Sequence, residues 1–143
     1  MNAMPVPHTP VVAHVAESSS GARRSGVILS GLTVLFLAFD AATKIARASF
    51  SVAGTVQLGY PASTLVPIGI ILLACVIVYV IPRTAPLGAI LLTGYLGGAI
   101  ATHVRVGNPL FTHELAPIYF AAILWTGLYL RDARVRALVR SAR

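Results

Sequence analysis

Four long runs of apolar residues, separated by short polar segments, constrain this chain more than any other feature. They span residues 26–46, 62–81, 87–104 and 112–130. A helix needs about 20 apolar residues to cross a hydrocarbon core that is about 30 Å thick. Each run is close to that length. The sequence therefore predicts an all-α protein whose four transmembrane helices pack as a bundle.

The composition excludes an ordinary soluble domain. Hydrophobic residues make up 57% of the chain and charged residues only 10%, whereas soluble domains average about 45–50% and about 25%. The net charge of +7 is also typical of nucleic-acid binding, but no polar domain remains to carry a basic surface. We therefore expect the chain's partner to be a lipid bilayer and not a nucleic acid.

The distribution of cations predicts how the helices cross the membrane. With four spans, the N-terminus, the second loop and the C-terminus lie on one side, and these segments hold eight of the 11 Lys and Arg residues. The opposite side holds Lys44, Arg47 and Arg105. Since cytoplasmic loops carry the excess of cations, both ends of the chain are predicted to be cytoplasmic.

The remaining segments are short. Residues 1–24 are rich in proline and serine and predict a disordered cytoplasmic leader, followed by a membrane domain over 25–131 and a basic cytoplasmic tail over 132–143. Residues 47–60 mix apolar and polar side chains, which favours a short interfacial helix between the first two spans. A secretory signal cleaved near Ala48 is the alternative interpretation of the first run.

Asp40 is the ionisable residue that most suggests a site. It lies within the first run, about 9 Å from its end at the rise of a helix. An unpaired charge facing lipid costs at least about 2.5–3.5 kcal/mol. Asp40 is therefore predicted to face the inside of the bundle and to pair with Lys44, one helical turn later.

Other polar residues are predicted to gather at the same end of the bundle, in its outer half. The set is Asp40, Lys44, Tyr60, His103, Arg105, His113 and Glu114. One interpretation is an ion pair that only holds the helices together, and the other is a ligand pocket open to the outside. A His near a carboxylate suits proton exchange with a quinone. No metal site is predicted, because the histidines come from separate helix ends without a ligand motif. No catalytic residue is predicted either.

The third run is rich in glycine. Gly94 and Gly98 have the spacing that lets membrane helices approach closely, and Thr102 extends that face. The pattern predicts either tight packing within the chain or the seam of a homo-oligomer.

Three segments resemble the DoxX-like family of bacterial membrane proteins. They are Phe39–Lys44, Leu58–Pro61 and Pro82–His103, and the resemblance extends over residues 26–137. It implies a four-helix membrane bundle in the bacterial cytoplasmic (inner) membrane.

The resemblance implies little chemistry. The family is related to subunits of a thiosulfate:quinone oxidoreductase, and some relatives are linked to membrane redox complexes, which implies an accessory subunit with a redox partner protein. Asp40, Lys44, Tyr60 and His103 fall in or beside the similar segments, but no catalytic role transfers with them, and whether the chain is an enzyme stays open. The alternatives are an oligomeric small-molecule transporter or permeability factor, and a structural protein whose arginine-rich tail contacts anionic lipid.

Overall fold

This computed structural model describes residues 11–108 and 116–141, with side chains from Ser20 onward, and most of these residues are helical. A 3-10 turn at Ala62–Thr64 leads into the third helix. The helices are α1 (Val11–Ile45), α2 (Ser49–Gln57), α3 (Leu65–Val80), α4 (Ala85–Arg105), α5 (Ala116–Arg131) and α6 (Ala133–Ser141). These residues contain no strand, which confirms the all-α prediction.

Three described segments are long and apolar enough to cross a membrane. They are Ser20–Ile45, Ala62–Val80 and Ala85–Arg105, and they overlap the first three predicted spans. α5 has 16 residues. The first residues of the fourth predicted span lie outside the described part of the chain.

The first helix begins earlier than the sequence analysis predicted. α1 starts at Val11, so the backbone of residues 11–24 is helical, whereas a disordered leader was predicted over 1–24. Residues 1–10 lie outside the described residues. The sequence has no proline between Val11 and Ile45. Once a helix has formed, each added residue gains a hydrogen bond without a second nucleation step, which explains how the helix of the first span continues into the leader.

The four longer helices share one apolar core. α1 and α4 each pack against both α3 and α5. Tyr79 is fully buried in this core, and its hydroxyl donates to the Leu124 carbonyl oxygen at 3.2 Å and lies 3.0 Å from Ser30 Oγ. The guanidinium of Arg131 lies 4.8 Å from the centre of the Tyr79 ring. Buried polar groups need such partners in a medium without water.

Glycine allows the closest helix contacts. A Cβ added to Gly26 of α1 would lie 2.8 Å from the Gly127 carbonyl oxygen of α5. One added to Gly69 of α3 would lie 2.9 Å from the Lys44 Cβ of α1, and one added to Gly88 would overlap the backbone of Tyr79. Real Cβ atoms do not make contacts this short, so the helices at these points are at the distance that glycine sets.

Gly94 and Gly98 were predicted to pack closely against another helix, and the described residues show no such contact at either position. No described atom lies within 4 Å of a Cβ placed on either residue. Within the described part of the chain, this face of α4 borders a cavity, so tight packing within the chain stays a prediction. Thr102, the third residue predicted for helix packing, contacts Tyr60 through its hydroxyl. The homo-oligomer seam stays a prediction.

α6 follows α5 after a single residue. Asp132 accepts a hydrogen bond from the backbone N–H of Arg134 at 2.9 Å, the contact by which an N-cap residue satisfies a free amide at a helix start. The Arg134 side chain also binds this carboxylate and holds the pKa of Asp132 below its usual value. Cap and ion pair together fix the position at which α6 leaves α5.

Candidate functional site

A cavity of about 530 Å³ lies among the helices, at the end where α1 and α4 finish. Volumes of about 300–1,000 Å³ are usual for small-molecule sites. Its walls come from α1, α2, α3, α4, α5 and Tyr60, so the cavity is a product of the tertiary packing.

Asp40 and Lys44 form an ion pair on the cavity wall. They are one turn apart on α1, as predicted, and both side chains are at least two-thirds buried. Thr43 donates its hydroxyl to the Asp40 carbonyl oxygen at 2.9 Å. The opposite charges cancel within the pair, so this wall offers hydrogen-bonding groups without a net charge.

Tyr60 connects the segment after α2 to α4. Its hydroxyl lies 3.2 Å from Thr102 Oγ1, and its side chain lines the cavity. Gly59 makes the preceding turn with a φ of +78°, a conformation that suits glycine because it has no Cβ.

Arg105 is near the cavity but is not among the residues that line it. Its guanidinium donates to the Leu58 carbonyl oxygen at 2.5 Å and lies 5.5 Å from the centre of the Tyr60 ring. These contacts join the end of α4 to the turn after α2. Arg105 therefore contacts the turn that carries Tyr60, and its predicted contact with a ligand stays a prediction.

His103 lines the cavity from the last turn of α4. Its Nδ1 lies 2.7 Å from the Asn108 side-chain nitrogen. This contact joins the last turn of α4 to the segment that follows it.

The other end of the cavity is apolar and aromatic. Phe36 of α1 stacks on Phe120 of α5, with ring centres 4.3 Å apart and planes 14° apart. Tyr95 lines the same region from α4 and is half-buried. The helical rise places Phe36 about 6 Å deeper than Asp40 along α1, so polarity falls with depth.

The sequence analysis missed Phe36, Tyr95 and Phe120. A signal was present for two of them. Phe36 is one turn before Asp40, and Tyr95 is two turns before His103, so each shares a helical face with a predicted site residue. Phe120 carried no comparable signal, because only the packing of α5 against α1 brings its ring to Phe36.

Two predicted site residues, His113 and Glu114, lie outside the described residues. Within the described part of the chain, no group of three His, Cys, Asp or Glu side chains is placed to hold a metal ion.

The sequence matches a known protein family. The model of the DoxX-like family matches residues 28–127, which is most of the chain. The chain belongs to the DoxX-like family. This confirms the resemblance found in the sequence, and together with the three apolar helices it indicates that the DoxX-like protein is a membrane protein. No curated protein and no solved structure matches the chain significantly.

The residues that line the cavity of this DoxX-like protein make it amphipathic. One end presents a neutralised ion pair, the hydroxyls of Thr55, Tyr60 and Thr102, and an imidazole. The other end presents stacked rings and aliphatic groups. Such a cavity can hold a molecule that has a polar edge and an apolar body.

Proposed function

We propose that this DoxX-like protein binds a neutral, lipid-soluble ring molecule of the quinone class in the cavity. The observation that carries the proposal is the pairing of a polar end, at Asp40, Lys44, Tyr60 and His103, with an aromatic end at Phe36 and Phe120. A charged ligand is disfavoured because the ion pair is already neutral. The carbonyl oxygens of a quinone would accept hydrogen bonds at the polar end, and its ring would pack on the phenylalanines.

We further propose that the chain acts as an accessory subunit of a membrane redox complex. The sequence contains no haem or flavin motif and no nucleophile motif, so electrons would have to come from a partner protein. Mild detergent extraction should then co-purify an oxidoreductase whose activity depends on this chain. Purification of the chain alone under every mild condition would contradict this part of the proposal.

The membrane arrangement that fits this function is a four-helix bundle in the bacterial inner membrane with both ends in the cytoplasm. Its support is the excess of cations, eight against three, in the segments that would face the cytoplasm. Single cysteines placed at residues 83 and 47 should be labelled from opposite sides by a reagent that does not cross membranes. Labelling of both from one side would exclude this topology.

Filling the cavity should abolish quinone binding without unfolding the protein. Gly98 lines the cavity and has no described atom within 4 Å of an added Cβ, so Gly98→Leu places a side chain in the empty space. We expect at least a tenfold loss of ubiquinone or menaquinone retained in native mass spectrometry of the detergent-extracted protein. Thermal unfolding should stay close to that of the wild type.

Gly97→Leu is the matched control. Gly97 is the preceding residue of α4, is equally open, and is not among the residues that line the cavity. This variant should retain quinone like the wild type. Equal retention by both variants, or a wild-type protein that never carries a quinone, would refute the proposed ligand.

An oligomeric transporter or permeability factor is the second candidate. It is favoured by the exposed Gly94, Gly97 and Gly98, where an added Cβ would have no described atom within 4 Å, which leaves room for a second copy of α4. The same mass spectra report the oligomeric state. A wild-type protein that is monomeric in both mild detergent and nanodiscs would remove this support.

A further inference from the structure

The apolar face of α6 continues beyond the protein surface that supports it. At 3.6 residues per turn, Val135, Leu138 and Val139 fall within about 100° of one another around the helix. Val135 is buried, but Leu138 is 67% exposed and Val139 48% exposed. The face therefore begins on the protein core and ends uncovered.

α6 is held so that it cannot turn this face inward. Val135 packs in the same core as Tyr79 and Leu128. Arg134 donates to the Pro82 carbonyl oxygen at 2.5 Å, and Asp132 caps the helix start. With the first turn held on both sides, Leu138 and Val139 point past the edge of the packed helices.

Arginines border this apolar face on both sides. Arg134 lies next to Leu138 around the helix, and Arg136 and Arg140 lie beyond Val139. Arg83 is in the turn that α6 contacts, and neither Arg83 nor Arg140 has a partner among the described residues. The carboxylate of Asp132 is already paired, so unneutralised positive charge remains around the exposed leucine and valine.

We propose that α6 lies on the membrane surface, with Leu138 and Val139 among the acyl chains and the arginines against anionic phospholipid headgroups. A helix with an apolar face flanked by cations has this preference. The position of α6 favours a bilayer as the partner of its exposed face. α6 starts one residue after α5 ends, at the level where α5, an apolar helix of the packed core, leaves its apolar surroundings. The surrounding charge is complementary to anionic lipid. The proposal is independent of the quinone site.

Two adjacent residues of α6 test the placement. Ala137 and Leu138 are both exposed, but they point to different sides of the helix. A polarity-sensitive fluorophore is attached to Ala137→Cys or Leu138→Cys in the Cys75→Ala full-length protein, reconstituted in phosphatidylglycerol or in phosphatidylcholine vesicles. Lipids with a nitroxide on the acyl chain should quench the probe at 138 but not at 137, and more strongly in phosphatidylglycerol.

Removal of one cation tests the charge contribution. Arg140→Gln should weaken the insertion of the 138 probe in phosphatidylglycerol roughly fivefold, the effect of one cation at an anionic surface. Arg47→Gln removes one cation between α1 and α2, at the other end of the helices, and should change nothing. Equal quenching at 137 and 138 would overturn the proposal. Equal quenching in the two lipids would overturn it as well. The proposal would also fail if the 138 probe became shielded in lipid-free detergent as the protein concentration rises, because a second copy of the chain would then cover this face.

Discussion

Replacing Gly88 by alanine is expected to lower the free energy of unfolding by about 1–3 kcal/mol, the usual cost of forcing an extra group into a packed core. A Cβ at Gly88 would overlap the backbone of Tyr79. Backbone atoms cannot move aside as a flexible side chain can, and the turn between α3 and α4 is only residues 81–84. Relief would require the two helices to separate, which would also disturb the Tyr79 hydrogen bonds.

Gly97→Ala is the control for this prediction. It makes the same substitution on the same helix, at a position with no described atom within 4 Å of the new Cβ. Alanine is the better helix former, so this variant should be as stable as the wild type or slightly more stable. The measurement is equilibrium unfolding in mixed detergent, followed by the fluorescence of Trp125, the single tryptophan. Equal stability of the two variants would show that α3 and α4 are not in contact at Gly88.

Replacing Lys44 by methionine is expected to destabilise the protein by about 1–3 kcal/mol and to weaken ligand binding. The change leaves the Asp40 carboxylate without its partner in apolar surroundings. The cost should stay below the upper values for an isolated charge in a membrane, because the Asp40 side chain is 33% exposed into the cavity. Unfolding and quinone retention are measured as for the glycine variants.

The double variant Asp40→Asn with Lys44→Met distinguishes the energy of the Asp40–Lys44 interaction from the separate contributions of the two side chains. Since both charges are then absent, stability should recover most of the loss, giving a coupling energy of about 0.5–3 kcal/mol. Quinone retention should remain reduced, because the polar end of the cavity has lost its charged groups. The single variant Asp40→Asn completes the comparison. If the losses of the two single variants add up to that of the double variant, the two side chains do not form a pair in the folded protein.

The placement of Asp40 and Lys44 illustrates what could be predicted at the site. An unpaired charge among apolar residues is costly, so Asp40 needs a partner of opposite charge. Lys44 lies one turn away on the same helix and can be identified from the local sequence alone. Their ion pair therefore follows from one segment of sequence. Tyr60 and His103 could also be placed at the same end, because they lie at helix ends that four antiparallel spans would bring together. Arg105 shares that end, but its contact with Leu58 depends on the turn at Gly59, which no spacing rule specifies.

The glycines of α4 illustrate what could not be predicted. Gly88, Gly94 and Gly98 all occur on one helix, and the sequence analysis chose Gly94 and Gly98 because they have the motif spacing of four residues. In the structure the close approach occurs at Gly88, and the motif pair borders the cavity. The spacing predicts that one face of α4 carries only small residues, but it does not say which helix approaches that face. The approach depends on the rotation of α4 relative to α3.

Hydrophobicity and charge, which act along the chain, were enough to predict an all-helical membrane protein, its first three spans and the Asp40–Lys44 pair. The family was recognised separately, from the resemblance of three sequence segments. Contacts between distant segments decided the rest: the stacked rings of Phe36 and Phe120, the cavity beneath the ion pair and the anchored α6. The physical reason is that transfer into an apolar phase is a sum over local residues, whereas shape complementarity depends on how each helix is rotated and shifted against the others.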